Sequence, residues 1–294
     1  MATQGVTTTQ ALENSIPAMI AGARLVREFE GQVPKTVDRQ RLEDNTGTNW
    51  SEVALAHLSA QYIPEGIYPM NSPQQMSDAL FSVTPLVVGV QTIVTDRTLA
   101  RITKQAVAKL GPLAQNAIQR KKDIDGTLLF AGASNTIGTT TTTLYHGLLA
   151  AAVAQIYGNT TETGIGTGEL YFTCHPYQVK QLRDEIVAGI GTYTVPTGIT
   201  EDIYRRGFEG TCAQTNVMSD GNLAITSNSA KAGCYSRMAI VLVEGRSPRA
   251  ETRRRPDIGG GANEMFQFDE YAYGERSAGN WLVQILTDAT APTS

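Results

Sequence analysis

The sequence has no surplus of positive charge. Its 24 Lys and Arg stand against 28 Asp and Glu, a formal net charge of −4. Proteins that grip nucleic acid directly draw much of their affinity from neutralising phosphate with a basic excess. A dedicated nucleic-acid binder is therefore not expected, although a container enclosing nucleic acid is compatible with this balance. Cysteine is also scarce. Cys174, Cys212 and Cys234 are odd in number and widely spaced, and form neither a CxxC pair nor a Cys/His ligand spacing. They read as reduced, structural thiols of a protein made in a cytoplasm. No run reaches about 18 apolar residues, so no membrane-spanning helix is expected, and the polar, Thr-rich residues 1–11 do not read as a secretory signal. Charge of either sign is sparse, at 18 % of residues against about a quarter in a typical soluble domain. The hydrophobic share of 41 % suffices for a sizeable core. A surface so poor in charge suits a protein covered by partners, and equally an ordinary domain with a mildly apolar surface.

Catalytic constellations are missing as well. The histidines are His57, His146 and His175. His175 adjoins Cys174, but neighbours on a strand point to opposite faces, so sequence adjacency does not make a nucleophile–base pair. Gly164-Ile165-Gly166-Thr167-Gly168 lacks the Gly-Lys-Ser/Thr of a phosphate loop and precedes a strand instead of following one. The paired acids Asp123/Asp125, Asp184/Glu185 and Asp269/Glu270 have no histidine at ligand spacing. No catalytic residue, cofactor or metal is expected. The basic run Arg253-Arg254-Arg255 is flanked by Glu251 and Asp257 and reads as ion pairing at a subunit interface more readily than as a nucleic-acid contact.

Residues 1–33 read as an arm. Ser15-Ile16-Pro17 carries a helix-start signal, an N-cap serine followed by proline in the first turn. Ile16, Met19, Ile20 and Ala23 then share a face, which either a partner subunit or the chain's own core covers. Beyond residue 34, charges crowd at Asp38, Arg39, Arg41, Glu43 and Asp44, and Asn45-Thr46-Gly47 signals a turn. The stretch from Trp50 to Ala56 follows, and then Pro64, Pro69 and Pro73. Strands around that turn with an extended return make a long projecting β-loop. A loop of this size needs a reason, and reaching a neighbouring copy is one. Trimming its tip near residues 45–50 is expected to spare folding and impair assembly.

Residues 80–95 are β-rich. From Asp96, an N-cap candidate, Leu99, Ile102, Ala106, Leu110, Leu113 and Ala117 recur at helical spacing as one apolar stripe. Arg97, Arg101, Lys104, Lys109, Arg120, Lys121 and Lys122 lie mostly off it. Proline removes a backbone hydrogen bond and collides with the carbonyl four residues back. Gly111-Pro112 therefore predicts a kink near 108–111 in one long helix, which Gly126 ends. Thr141, Thr142 and Thr143 are placed to cap a helix that carries Leu144, Leu148, Leu149, Ala152, Val153 and Ile156 and stops at Gly158. A strand over 169–174, a helix over 177–187, a hairpin region over 211–219 and strands over 238–243, 264–271 and 281–286 follow. Helices and strands mix without βαβ repetition, which makes the fold class α+β.

This order of features resembles the major capsid proteins of tailed bacteriophages with the HK97-like fold. The likeness spans about residues 35–288. A charged β-loop precedes a β segment and a long helix over 96–125, whose end is Ala114-Gln115-Asn116-Ala117-Ile118-Gln119-Arg120-Lys121-Lys122-Asp123-Ile124-Asp125-Gly126. Phe172-Thr173-Cys174-His175-Pro176-Tyr177-Gln178 is similar to the strand-to-helix step of the family's axial domain. Tyr204-Arg205-Arg206-Gly207-Phe208-Glu209-Gly210-Thr211 resembles its next hairpin, and Pro248-Arg249-Ala250-Glu251 and Tyr271-Ala272-Tyr273-Gly274-Glu275-Arg276 its returning strands. The resemblance implies an N-terminal arm (1–33), an extended loop (34–78), a peripheral domain with the spine helix (79–130), an axial domain (131–247) and return strands (248–294). It further implies a non-enzymatic coat protein, made in the host cytoplasm and residing in the virion. Such a protein assembles with itself into hexamers and pentamers of an icosahedral shell, which encloses double-stranded DNA without reading its sequence. It leaves room for separate scaffolding, portal and decoration proteins, and any scaffold is expected to be a separate chain. Expected inter-subunit contacts are Arg39, Arg41, Glu43, Trp50, Glu251, Arg253, Arg254 and Arg255. An encapsulin-like cargo shell shares the fold and is the nearest rival, a tail-tube protein comes next, and a small α+β hydrolase is the alternative from another class.

Overall fold

The computed structural model describes residues 6–7, 31–43, 45, 47–56, 58, 62, 75–101, 110–159, 168–189, 210–276 and 280–293. The helix expected near Ser15, residues 108–109 of the stretch expected to kink and the Gly-rich loop at 164–167 lie outside them.

The strands sort into two large sheets and one small one. The first large sheet is built on β5 (Leu86–Thr95) and β14 (Ala262–Glu275). They pair antiparallel over ten residues, from Ala262 against Thr95 to Tyr271 against Leu86. β1 (Val6–Thr7) adds to the outer side of β5. On the other side of β14, β12 (Ile240–Glu244) takes one half and β13 (Arg249–Arg255) the other. β2 (Asp38–Arg41) closes the order by pairing parallel with β12. The second large sheet has the order β6 (Asn135–Ile137), β15 (Leu282–Asp288), β11 (Ser229–Ser236), β7 (Leu170–Cys174), β9 (Thr215–Ser219), β8 (Thr211–Cys212), with β10 (Ile225–Thr226) on β11. β3 (Trp50–Leu55) and β4 (Asp78–Val83) form a separate two-stranded hairpin. The fold is α+β, as expected.

The register differs from the sequence expectation at the loop. Strands around the Asn45-Thr46-Gly47 turn do not pair with each other. Asp38–Arg41, within the segment expected to project, joins the first large sheet, while Trp50–Leu55 pairs with Asp78–Val83, more than twenty residues on. Ile240–Glu244, counted with the axial segment, likewise lies in the first sheet. The chain therefore changes sheets at residues 237–239. Local turn signals fix where a chain bends; which strand it then meets is a long-range matter they do not encode.

The long helix runs Leu110–Ala131 and contains Gly111 and Pro112. It does not stop at Gly126. A Cβ there would sit 2.7 Å from Val33 Cγ1 and 3.2 Å from the Tyr273 ring, so this glycine permits a close approach and is no terminator. Nor is the buried face the predicted stripe. Leu113 is exposed, while Ile118, Lys122, Asp123, Thr127 and Phe130 are buried. The two charged residues break the apolar pattern because partners from other elements satisfy them. Two further caps are supplied differently from expectation. Thr95 Oγ1, not Asp96, accepts the Thr98 N–H (3.3 Å) at the head of the helix Asp96–Arg101. The His146 N–H, at the start of the helix His146–Asn159, donates to Glu185 (2.6 Å).

Three apolar clusters hold these layers. Leu144, Leu149, Ile156, Leu170, Phe172, Val283 and Ile285 pack the helix His146–Asn159 against the second sheet. Phe130, Tyr235, Leu242, Tyr271, Trp281 and Leu282 join the long helix to both large sheets, with Phe130 and Tyr235 stacked at 5.4 Å. Val83, Val241 and Val243, backed by Leu42, Trp50 and Phe81, seat the root of the hairpin.

Candidate assembly surfaces

The adjacent Cys174 and His175 side chains each have other partners. Cys174 is fully buried at the end of β7, with Sγ facing the Met218 carbonyl at 3.8 Å. Burial pushes its thiol far above the ordinary range, away from the reactive thiolate. The His175 ring accepts the Tyr177 N–H at Nδ1 (3.2 Å), and burial lowers its basicity. Cys234, also buried, is pushed up to about 12. Among the described residues, no group of three or more His, Cys, Asp or Glu side chains is placed to hold a metal, and no helix is long and apolar enough to cross a membrane.

The surface offers more. In the β3–β4 hairpin, Trp50 faces Val83, Glu52 faces Phe81 and Val53 faces Leu80. Directly opposed residues share a face and successive residues alternate. One face thus carries Trp50, Glu52, Phe81 and Val83 and turns toward the body. The Trp50 ring meets Phe81 edge-on at 6.2 Å. The other face carries Val53, Leu55 and Leu80, which are 54 %, 65 % and 70 % exposed. Leu86 and Val87, just past the hairpin, are exposed too. Apolar side chains arranged this way on a projecting hairpin have no partner within the described chain.

A single arginine ties the hairpin's root. Arg276, directly after β14, is 9 % exposed at its side chain. Its Nη2 reaches Asp38 Oδ2 (2.5 Å), its Nε reaches Glu52 Oε2 (2.7 Å) and its Nη1 donates to the Met238 carbonyl (3.0 Å). The guanidinium also lies 5.8 Å from the Trp50 ring centroid.

The eight residues expected at subunit contacts fall into two groups, one around β2 and the root of the hairpin and the other on β13. Arg39, on β2, is exposed and donates to the Pro34 carbonyl (2.6 Å); Arg41 reaches Ser247 Oγ (3.5 Å). Glu43 is exposed. Trp50 stands at the hairpin's root and not at a tip. In the second group Glu251 meets Arg249 (3.4 Å), and exposed Arg253 lies across the ladder from Glu264. Arg254 grips the Asp96 carboxylate through both terminal nitrogens and holds it below the usual carboxylate range. Arg255 forms a two-pronged pair with Asp257 (2.9 and 2.8 Å), which draws that carboxyl down to about 2. Two of the three clustered arginines thus have carboxylate partners within the subunit.

Two buried polar clusters went unforeseen. Lys122 lies between Glu244 (3.0 Å) and Asp269 (3.1 Å), against the Tyr271 ring. Asp123, from the long helix, meets Asp220, directly after β9 of the second sheet. Asp123 accepts the Val33 N–H (3.2 Å) and the Asn222 side-chain N–H (2.8 Å), and Asp220 accepts the Gln32 N–H (3.3 Å) and the Asn222 N–H (2.8 Å). Both carboxyls are fully buried. Burial, and then the neighbouring Asp220, raise Asp123 to about 7.

This arrangement of two sheets, a long connecting helix and a projecting hairpin is the architecture of the HK97-like phage capsids. The chain is similar over almost its whole length to solved structures of that class. Against a Mycobacterium phage Che8 chain the TM-score is 0.69 at 12 % identity, over 92 % of this chain and 96 % of that one. Against a chain of the cyanophage P-SCSP1u capsid it is 0.67 at 11 % identity, over 95 % and 94 %. Against a Microbacterium phage Oxtober96 chain it is 0.67 at 14 % identity, over 96 % and 99 %. No family profile and no curated protein sequence matches the chain.

Proposed function

We propose that this chain is the major capsid protein of a tailed, double-stranded DNA phage, a structural protein and not an enzyme. The full-length likeness in fold to phage capsid chains carries this reading. Copies of the chain form hexamers and pentamers and close into an icosahedral shell around the genome; it is made in the host cytoplasm and ends in the virion. The hairpin's outward apolar face, Val53, Leu55 and Leu80, lies over a neighbouring copy. Heterologous contacts of this kind close into rings, and many weak ones in a closed shell give large total stability. The projecting segment begins after Arg41, where β2 leaves the first sheet, and the remaining divisions follow the two large sheets. Arg41, Glu43 and Arg253 are exposed and belong to the contacts between copies; Trp50, Arg254 and Arg255 act mainly within the subunit.

Electron microscopy of the purified protein in negative stain tests the reading. Closed shells or capsomer rings are expected. A strictly monomeric, folded protein at high concentration that hydrolyses generic ester or phosphate substrates would overturn it.

A further inference from the structure

The hairpin is fastened to the body in two chemically different ways. Val83, Trp50 and Phe81 pack on Val241, Val243 and Ala272. The backbone of β14 comes so close beneath them that a Cβ on Gly274 would lie 2.4 Å from Val83 Cγ2 and 2.7 Å from the Phe81 ring. Such a contact holds the root in place but is non-directional, so it sets no angle. The second fastening is directional. Arg276 presents a rigid planar fork whose donors are divided among three elements: Glu52 on the hairpin, Asp38 at the start of β2, and the Met238 carbonyl where the chain changes sheets. Its backbone is fixed too, since its N–H donates to the Ala239 carbonyl (2.9 Å). Asp38 is anchored in turn by its own N–H, on the Arg237 carbonyl (3.1 Å). Two of the three guanidinium nitrogens are therefore held by the body, and the bond from Nε to Glu52 is the one that reaches out along the hairpin. Glu52 is half exposed, so this bond sits where a swing of the hairpin would break it.

We infer that Arg276 is the positioning residue that fixes the angle at which the hairpin leaves the body, through its bond to Glu52, and so presets the hairpin for its neighbour in the shell. The second half rests on the proposed function; the first does not.

Spin labels at Leu80 on the hairpin and Leu128 on the long helix, both exposed, report the angle as a distance distribution. The half-buried Cys212 is replaced by serine for this purpose, and Cys174 and Cys234 are buried. Glu52→Ala cuts only the hairpin side of the clamp, since it leaves Arg276 Nε no acceptor there, and Arg276→Lys keeps the charge while removing the fork. The parent should give one narrow distance. Both variants should give a broad, shifted distribution with melting temperatures close to the parent's, because the apolar root remains. Their yield of regular shells should fall about tenfold, the equilibrium factor carried by one charge-assisted hydrogen bond. An unchanged narrow distance in both variants overturns the inference, leaving the apolar root to set the angle. Broadened distances with an undiminished shell yield overturn the link to assembly. Shell yields are read on unlabelled protein with Leu80 in place; an unlabelled parent that forms no shells refutes the proposed function instead, while the distances still decide the role of Arg276.

Discussion

The buried pair Asp123 and Asp220 shows how one residue can tie three parts of a chain together. Two carboxyls in one dry pocket cannot both carry charge cheaply, and the raised Asp123 indicates that a proton is kept between them near neutrality. The sign of the pH effect follows from linkage. Asp123 titrates near its ordinary value, about 4, in the unfolded chain and at about 7 in the folded one. Folding thus takes up a proton between those values, and stability falls as pH rises across that window, then levels off. Asp123→Asn removes the titration while its amide can donate to Asp220 as the shared proton does. Thermal melts between pH 4.5 and pH 8 should show the parent losing stability over the window, and the variant should lose distinctly less. An equal slope in both would place the proton elsewhere. Lys122, next in sequence, differs in kind. It is buried between two carboxylates, and removing it leaves Asp269 buried without a cation. Lys122→Met should therefore cost about 3–5 kcal/mol, the usual effect of breaking a buried pair from one side, measurable by denaturant unfolding.

At the level of elements, the long helix gives the sharpest test of packing. Gly126 lies under Val33 and Tyr273 with no room for a methyl group, so Gly126→Ala should destabilise by about 1–3 kcal/mol despite the better helix propensity of alanine. A stabilised variant would show that Val33 and the segment it begins can move aside. Phe130, wholly buried against Tyr235, should cost about 3–5 kcal/mol when cut to alanine. The helix also shows what a sequence reveals. Residues 110–125 of it fall within the helix expected over 96–125, and the strands at 86–95, 240–244, 262–275 and 282–288 were legible from β-branched runs and alternation. The helix's inward face was not. Periodicity counts apolar side chains, and here the face is Ile118, Lys122, Asp123 and Thr127, buried because Glu244, Asp269 and Asn222 arrive from far along the chain. The same blindness hid Arg276, whose partners Asp38 and Glu52 are more than two hundred residues away. It also misplaced the loop: Asn45 and Gly47 do take positive φ, but β3 pairs with β4, more than twenty residues on in sequence.

For the whole molecule, the question is what the hairpin does once many copies meet. Trp50, at the end of the 45–50 stretch, stands at the hairpin's root, where it packs on Phe81 and lies beside Arg276. Deleting that stretch should now damage the subunit itself, contrary to what a tip would do. The residues to alter are those that face outward. Val53 and Leu80 oppose each other across the ladder and are more than half exposed, so the isolated subunit gains little from them. Exposed positions of this kind usually change stability by no more than about 0.5 kcal/mol. In a shell each hairpin would bury that apolar pair against a neighbour, at about 25 cal/mol per Å² removed from water, and the gain recurs at every equivalent contact. Val53→Glu with Leu80→Glu replaces the gain with two carboxylates that must be desolvated at the same place. The double variant should melt within a few degrees of the parent and sediment as single subunits or small rings. The parent, at the same concentration, should sediment as shells. The comparison is sharpest at high salt, where repulsion between surface charges is screened. Shells that reappear there would assign the defect to long-range repulsion, and shells that stay absent would place the hairpin's apolar face inside the contact between copies.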